Sequence, residues 1–94
     1  MAVKIFIKRK LNQSHVKELN ALLTKLRSLT LNQPGYVTGE TLQRIDRPGE
    51  SMVISSWRSV EDWNRWVNNE KRMAIQEEID QLLGEETEYE IYGS

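Results

Sequence analysis

All three tryptophans of this 94-residue chain stand close together, at Trp57, Trp63 and Trp66, in a sequence with only seven aromatic residues. Trp63 and Trp66 are three apart, so on a helix they occupy one continuous surface. Two indoles side by side can form an apolar wall against which a flat aromatic ligand stacks. The same residues can also simply fill a core. Trp57 closes an apolar run with the alternation of a strand and is expected to be structural. Arg72 follows within about a helical turn of Asn68 and Asn69, which places a cation beside the proposed wall.

Other residue types that carry chemistry are sparse. His15 is the only histidine. Its type suits a general base, but a position in the first turn of a helix is that of a surface residue. With no second histidine and neither an HExxH nor an EF-hand pattern, a metal site is not expected. Arg9, Arg44, Arg58, Arg65 and Arg72 could each meet an anionic ligand, although a lone arginine is ordinarily a solvated charge. Glu77-Glu78-Asp80 and Glu85-Glu86 are carboxylate runs of a solvated face rather than a spaced acid–base pair. No G-x-S-x-G, P-loop or dinucleotide fingerprint is present, so hydrolase, NTPase and dehydrogenase chemistry has no foothold.

Composition narrows the setting. Thirteen basic and fourteen acidic residues give a net charge of −1, which provides no global attraction to nucleic acid or to a membrane surface. The absence of cysteine excludes disulfides, thiolate metal sites and a cysteine nucleophile, and fits a reducing cytoplasm. Residues 1–10, MAVKIFIKRK, show no signal-peptide pattern, and no stretch approaches the ~20 apolar residues of a membrane span. The length suits one domain over residues 1–94. A domain of this size has a small core, so self-association is a natural way to bury more surface.

The elements that must position these residues follow from periodicity. Val3, Ile5 and Ile7 alternate with Lys4, Phe6 and Lys8, the pattern of a strand with one buried face. Ser14 is the expected N-cap of an amphipathic helix carrying Val16, Leu19, Leu22, Leu23, Leu26 and Leu29, which ends near residues 31–33. Pro34-Gly35 stops it and starts an extended run over residues 36–46, with Gly39 a candidate bulge. A turn at Arg47-Pro48-Gly49-Glu50 and a strand over residues 51–57 complete a hairpin. Ser59-Val60-Glu61-Asp62 reads as a capping box. The helix it opens is expected to break near Asn68-Asn69 and resume to a C-cap at Gly84. Residues 87–92 alternate as a last strand.

The order is β-α-β-β-α-β, an α+β, ferredoxin-like arrangement with an antiparallel sheet. Its last strand lies antiparallel beside the first, so Lys4 and Lys8 face Glu88 and Glu90. Both helices cover one face of the sheet. The other becomes a charged surface centred on Phe6, suited to a partner subunit's sheet.

The residues Pro34-Gly35-Tyr36, Ser56-Trp57-Arg58-Ser59 with Asp62-Trp63, Trp66 with Asn69, and the tail from Ile79-Asp80 to Tyr92 resemble the antibiotic biosynthesis monooxygenase domain of the dimeric α/β-barrel superfamily. With the first strand and helix, the resemblance spans nearly the whole chain. It implies a homodimer forming a dimeric α/β barrel, with a pocket between sheet and helices in each subunit. Some members are cofactor-free monooxygenases acting on polycyclic phenols, in which a phenol is deprotonated and the carbanion reacts with dioxygen without metal or flavin. That chemistry needs an apolar cage, here Trp63 and Trp66, and hydrogen-bond donors near the oxyanion, here Asn68, Asn69, Arg72 or Gln76. Trp63, Trp66, Asn69, Arg72 and Gln76 are therefore the candidate substrate-binding residues, the expected ligand is a small aromatic or polycyclic molecule, and no cofactor is expected. A non-catalytic binding or accessory module is the alternative. The haem-degrading branch of the family has an asparagine on the first strand, a tryptophan on the second helix region and a histidine after it. Trp66 matches the tryptophan. The other two positions fall at about Lys8 and at Gln76, a poor iron ligand, so haem degradation is not expected.

Overall fold

The first strand, β1 (Val3–Lys10), runs through the middle of the sheet in the computed structural model, which describes residues 2–11 and 13–94. It pairs antiparallel with β3 (Glu50–Trp57) on one side and with β4 (Glu88–Gly93) on the other. Strand β2 (Tyr36–Gln43) pairs antiparallel with β3 at the edge, giving the order β2-β3-β1-β4. Helix α1 (Val16–Thr30) links β1 to β2, while α2 (Val60–Val67) and α3 (Glu70–Leu83) link β3 to β4. The result is the expected ferredoxin-like α+β architecture, with the second helical connection in two pieces.

Alternation along β1 decides what the two layers share. Val3, Ile5, Ile7 and Arg9 turn toward the helices and are buried; Lys4, Phe6 and Lys8 turn to the other face. Leu19 and Leu26 of α1, seven residues apart and hence on one side of the helix, meet them in a core that also holds all three tryptophans, Ile75 and Ile79. Helix α1 packs against α3 over this core. No helix among the described residues is long and apolar enough to cross a membrane.

Local signals were mostly read in the right place. The Ser59 side chain accepts from the Asp62 amide and donates to the Asp62 carboxylate, opening α2. Asn69 separates α2 from α3 as an N-cap, and Gly84 ends α3 with φ of 72°. Two details differ. Residues 13–15 form a 3₁₀ turn, so α1 starts one residue later than a Ser14 cap requires. The cap position falls on His15, which makes no side-chain cap bond. The β2 irregularity lies between Tyr36 and Thr38, not at Gly39. Gly39 instead makes room for the Tyr36 ring, whose hydroxyl would lie 2.5 Å from a Cβ at that position.

Candidate functional site

Strand β3 carries Trp57 to the helix-facing side of the sheet, and the capping box then turns the chain so that α2 lays Trp63 and Trp66 over it. Trp57 is fully buried, and its indole N–H donates to Ser55 Oγ at 3.1 Å. Its ring meets Tyr36 edge-on at 5.4 Å and Trp63 at 5.7 Å; Trp63 in turn meets Tyr89 at 5.8 Å. Four rings contributed by β2, β3, α2 and β4 thus form one connected aromatic layer.

Beside this layer, between the sheet and α1, lies a cavity of about 290 Å³. Its sheet side is Ile7, Arg9, Val53, Ser55 and Trp57, and Leu23 and Leu26 of α1 face them. Trp63, Trp66 and Arg72 close the side formed by α2 and α3. The volume is at the lower end of ligand pockets, ~300–1,000 Å³, and suits a flat body of two or three fused rings.

Arg72 is only 4% exposed. Its guanidinium lies over Trp63 at 5.6 Å and over Tyr89 at 5.2 Å, donates to the Val67 carbonyl at 3.4 Å, and donates to the Tyr89 hydroxyl. Aromatic faces are therefore its principal partners. Arg9, 6% exposed, donates through Nη2 to Gln76 Oε1 at 3.0 Å, while its Nε–H has no partner among the described residues. Among the described residues no carboxylate lies within ion-pair distance of either arginine. Burial pushes the Arg9 guanidinium below its ordinary value. The positive charge of Arg72 acts in the same direction, opposed by Tyr89 and Asp80.

The candidate residues therefore separate. Trp63, Trp66 and Arg72 come together at the cavity. Asn69 does not: its side-chain oxygen accepts from the Lys71 and Arg72 amides, so it is spent on starting α3, beside a separate surface depression. Gln76 is buried but sits behind Arg9 rather than on the cavity. Its amide nitrogen donates to Asp80 Oδ1 at 2.8 Å and to Thr87 Oγ1 at 2.7 Å, so both ends of the side chain are engaged. Asn68 donates to the Asn64 carbonyl and is exposed. Lys8 lies on the helix-free face, paired with Glu90 at 3.1 Å. Arg44 and Arg65 are tied to surface carboxylates, Asp46 and Asp62, and Arg58 is exposed.

Arg9 is the cavity residue the sequence reading undervalued, having placed it among solvated arginines. The signal was its parity: position 9 continues the series 3, 5, 7 that forms the buried face of β1. A larger depression of about 820 Å³ at the end of the sheet shares Arg9 with the cavity, but lysines, arginines and glutamates of both signs line it. The tryptophans line the smaller space and not this one.

A four-stranded antiparallel sheet, helices over one face and an aromatic-lined cavity between the layers define a ferredoxin-like α+β domain. The chain belongs to the antibiotic biosynthesis monooxygenase family, whose family model matches residues 2–78. Solved structures share the fold at low sequence identity. A conserved protein from Methanosarcina mazei Go1 has a TM-score of 0.88 at 21% identity, over 98% of this chain and 91% of that one. SnoaB, a cofactor-independent oxygenase from Streptomyces nogalater, has a TM-score of 0.84 at 14% identity, over 99% and 92% of the two chains. Rv0793 from Mycobacterium tuberculosis has a TM-score of 0.86 at 15% identity, over 100% and 95%. No functionally curated protein matches the chain.

Proposed function

We propose that this protein binds a small, flat aromatic molecule in the cavity and supports its oxygenation by dioxygen without a metal or flavin. The observation that carries the reading is the cavity itself, a space with three tryptophans and two buried arginines on its wall. Membership of a monooxygenase family and a fold shared with a cofactor-independent oxygenase support the chemistry. For an anthrone-like carbon acid, loss of a proton leaves a ring-stabilised carbanion whose electron pair passes to dioxygen. One oxygen atom then remains on that carbon as a carbonyl, and the other leaves as water with the two hydrogens. Trp63 and Trp66 hold the ring system, and the Arg72 cation stabilises the negative charge that develops on its oxygen.

A second reading, a binding module without turnover, is favoured by one observation. Among the described residues lining the cavity the only carboxylate is Glu40, which is exposed and on the strand parity of the helix-free face. A buried base is what the oxygenase reading most needs.

Titration with anthrone, followed by tryptophan fluorescence and oxygen uptake, separates the two. Quenching with oxygen consumption that falls at least tenfold in Trp66→Phe supports the oxygenase. Quenching without uptake supports the binding module, and no quenching overturns both.

We also propose a homodimer that closes its barrel through the helix-free faces of two sheets. Phe6, Met52 and Ile54 are only half-buried there, and Leu42 and Tyr92 are exposed, which a two-layer domain leaves for a partner to cover.

A further inference from the structure

Two guanidinium groups stand at the cavity with hardly any solvent to screen them and, among the described residues, no carboxylate within ion-pair distance; the charge of Asp80 reaches Arg9 only from behind Gln76. Arginine does not shed its proton in a protein, so both charges are permanent. Burying a charge is costly unless it is paired, and the two are not equally provided for. Arg72 has the faces of Trp63 and Tyr89, the Tyr89 hydroxyl and the Val67 carbonyl. Arg9 has one neutral amide oxygen, from Gln76, and an N–H left without any acceptor. Gln76 is fixed in this orientation, because its amide nitrogen donates to Asp80 and Thr87. Arg27, exposed on α1, adds a third cation to the lining against the single carboxylate of Glu40.

We infer that the cavity selects an organic anion, an aromatic body bearing a carboxylate, with Arg9 as the group that recognises its charge. The inference rests on the proposed aromatic-binding site and names the class of ligand that site prefers. A carboxylate drawn to the Arg9 guanidinium meets the unmatched charge, and a small shift of the side chain also brings it the Nε–H, which is closed to solvent and unpaired among the described residues. Charge-assisted bonds of this kind are roughly twice as strong as neutral ones. A hydroxyl or ketone of the same shape satisfies the donor and leaves the charge. The cation therefore decides between ligands that the tryptophans alone accept equally. Arg72, already covered by two aromatic faces, acts on the ring system rather than on the carboxylate.

The test compares 2-naphthoate with 2-naphthamide, a neutral analogue of nearly the same shape, by calorimetric titration at neutral pH. The native protein should bind naphthoate on the order of tenfold more tightly or better. In Arg9→Met that preference should shrink to within about twofold, while naphthamide loses no more than one neutral hydrogen bond, about tenfold at most, and its continued binding shows that the cavity is intact. If Arg9→Met does not fold, Arg9→Gln removes the charge while keeping a hydrogen-bond donor, and the preference should likewise shrink to within about twofold. Equal affinity of the native protein for both probes overturns the anion inference and leaves the aromatic-binding reading standing. A preference that survives unchanged in the Arg9 variant also overturns it. Failure of both probes to bind overturns this inference and the reading beneath it.

Discussion

At the scale of single residues the pairing of Arg9 with Gln76 is the unusual feature, a permanent cation held inside the domain by a neutral amide at 3.0 Å. Gln76→Leu removes that acceptor and leaves the Arg9 cation without the hydrogen-bond partner it has. A loss of about 1–3 kcal/mol of stability is expected, read as a lower urea midpoint at constant slope. Arg9→Met together with Gln76→Leu replaces both polar partners by apolar groups of similar size, and such replacements are often neutral or stabilising. The double variant should therefore recover most of what the single Gln76 variant loses. Simple additivity of two losses would show that the contact is ordinary packing. Asp80 and Thr87 do not confound the comparison, because the Thr87 amide and hydroxyl both still donate to Asp80 Oδ1. Arg9 is present in ligand-free protein at a cost, and the removal of that cost together with the anion preference is what a binding role predicts. At this scale the sequence was only partly legible. Trp63 and Trp66 announce themselves by type and spacing and Arg9 by its parity on β1, whereas the displacement of Asn69 and Gln76 from the cavity depends on which helix face each turn presents.

Among elements, the junction of β2 with α2 depends on one glycine. Gly35 has φ of 83°, its carbonyl accepts from the Arg58 amide at 2.8 Å, and a Cβ there would fall on the Asp62 side chain that caps α2. Gly35→Ala combines left-handed backbone strain with that clash, so a loss of about 1–3 kcal/mol is expected. Thermal unfolding measures it. Ser59→Ala, which only removes the cap, should cost about 1 kcal/mol, and the Gly35 variant should be the worse of the two. The pairing of β1 with β4 is tested by Lys8, which faces Glu88 across the ladder and is ion-paired with Glu90. The hydrogen bond and charge of Glu90 raise the Lys8 pKa above 10.5. A raised pKa means the folded state holds the proton more tightly. Its contribution is thus complete below pH 10.5 and is lost as pH rises through the folded-state value. Lys8→Met should flatten the alkaline fall of the melting temperature, and Lys8→Glu should lower melting at neutral pH. Elements were the most legible scale. Strand and helix periods, two caps and the Asn68-Asn69 break are local signals, and their order leaves few topologies. What local pattern could not supply was side-chain packing, even within one strand. Gly39 reads as a bulge in sequence because the Tyr36 ring that needs its space is not visible there, and the 3₁₀ turn that moves the start of α1 past Ser14 is equally silent.

For the whole molecule, the question is what lies against the sheet face that carries no helix. Phe6 stands opposite Ile54 across β1 and β3, Met52 stands opposite Leu42, and Tyr92 meets Phe6 edge-on at 5.0 Å. These apolar residues run across all four strands, with the Lys8–Glu90 pair beside them. Such a surface contains both signs of charge and a central apolar strip, so a second copy related by a twofold axis finds apolar facing apolar and can pair lysine with glutamate. An isologous interface requires this self-complementarity. Stable interfaces bury ~1,200–2,000 Å² in total, and a four-stranded face is the natural place in a domain of this size. Ile54→Asp places a charge at the centre of the strip, opposite Phe6, without touching the helix-side core. Sedimentation should show the native protein as a dimer and the variant as a monomer at the same concentration, with its helical circular dichroism retained. The cavity lies on the opposite face of the same sheet, so the monomeric variant should still bind naphthoate, with a change of no more than a few fold. A native monomer, or a dimer indifferent to Ile54→Asp, would remove the barrel from this account while leaving the cavity and its arginines where they are.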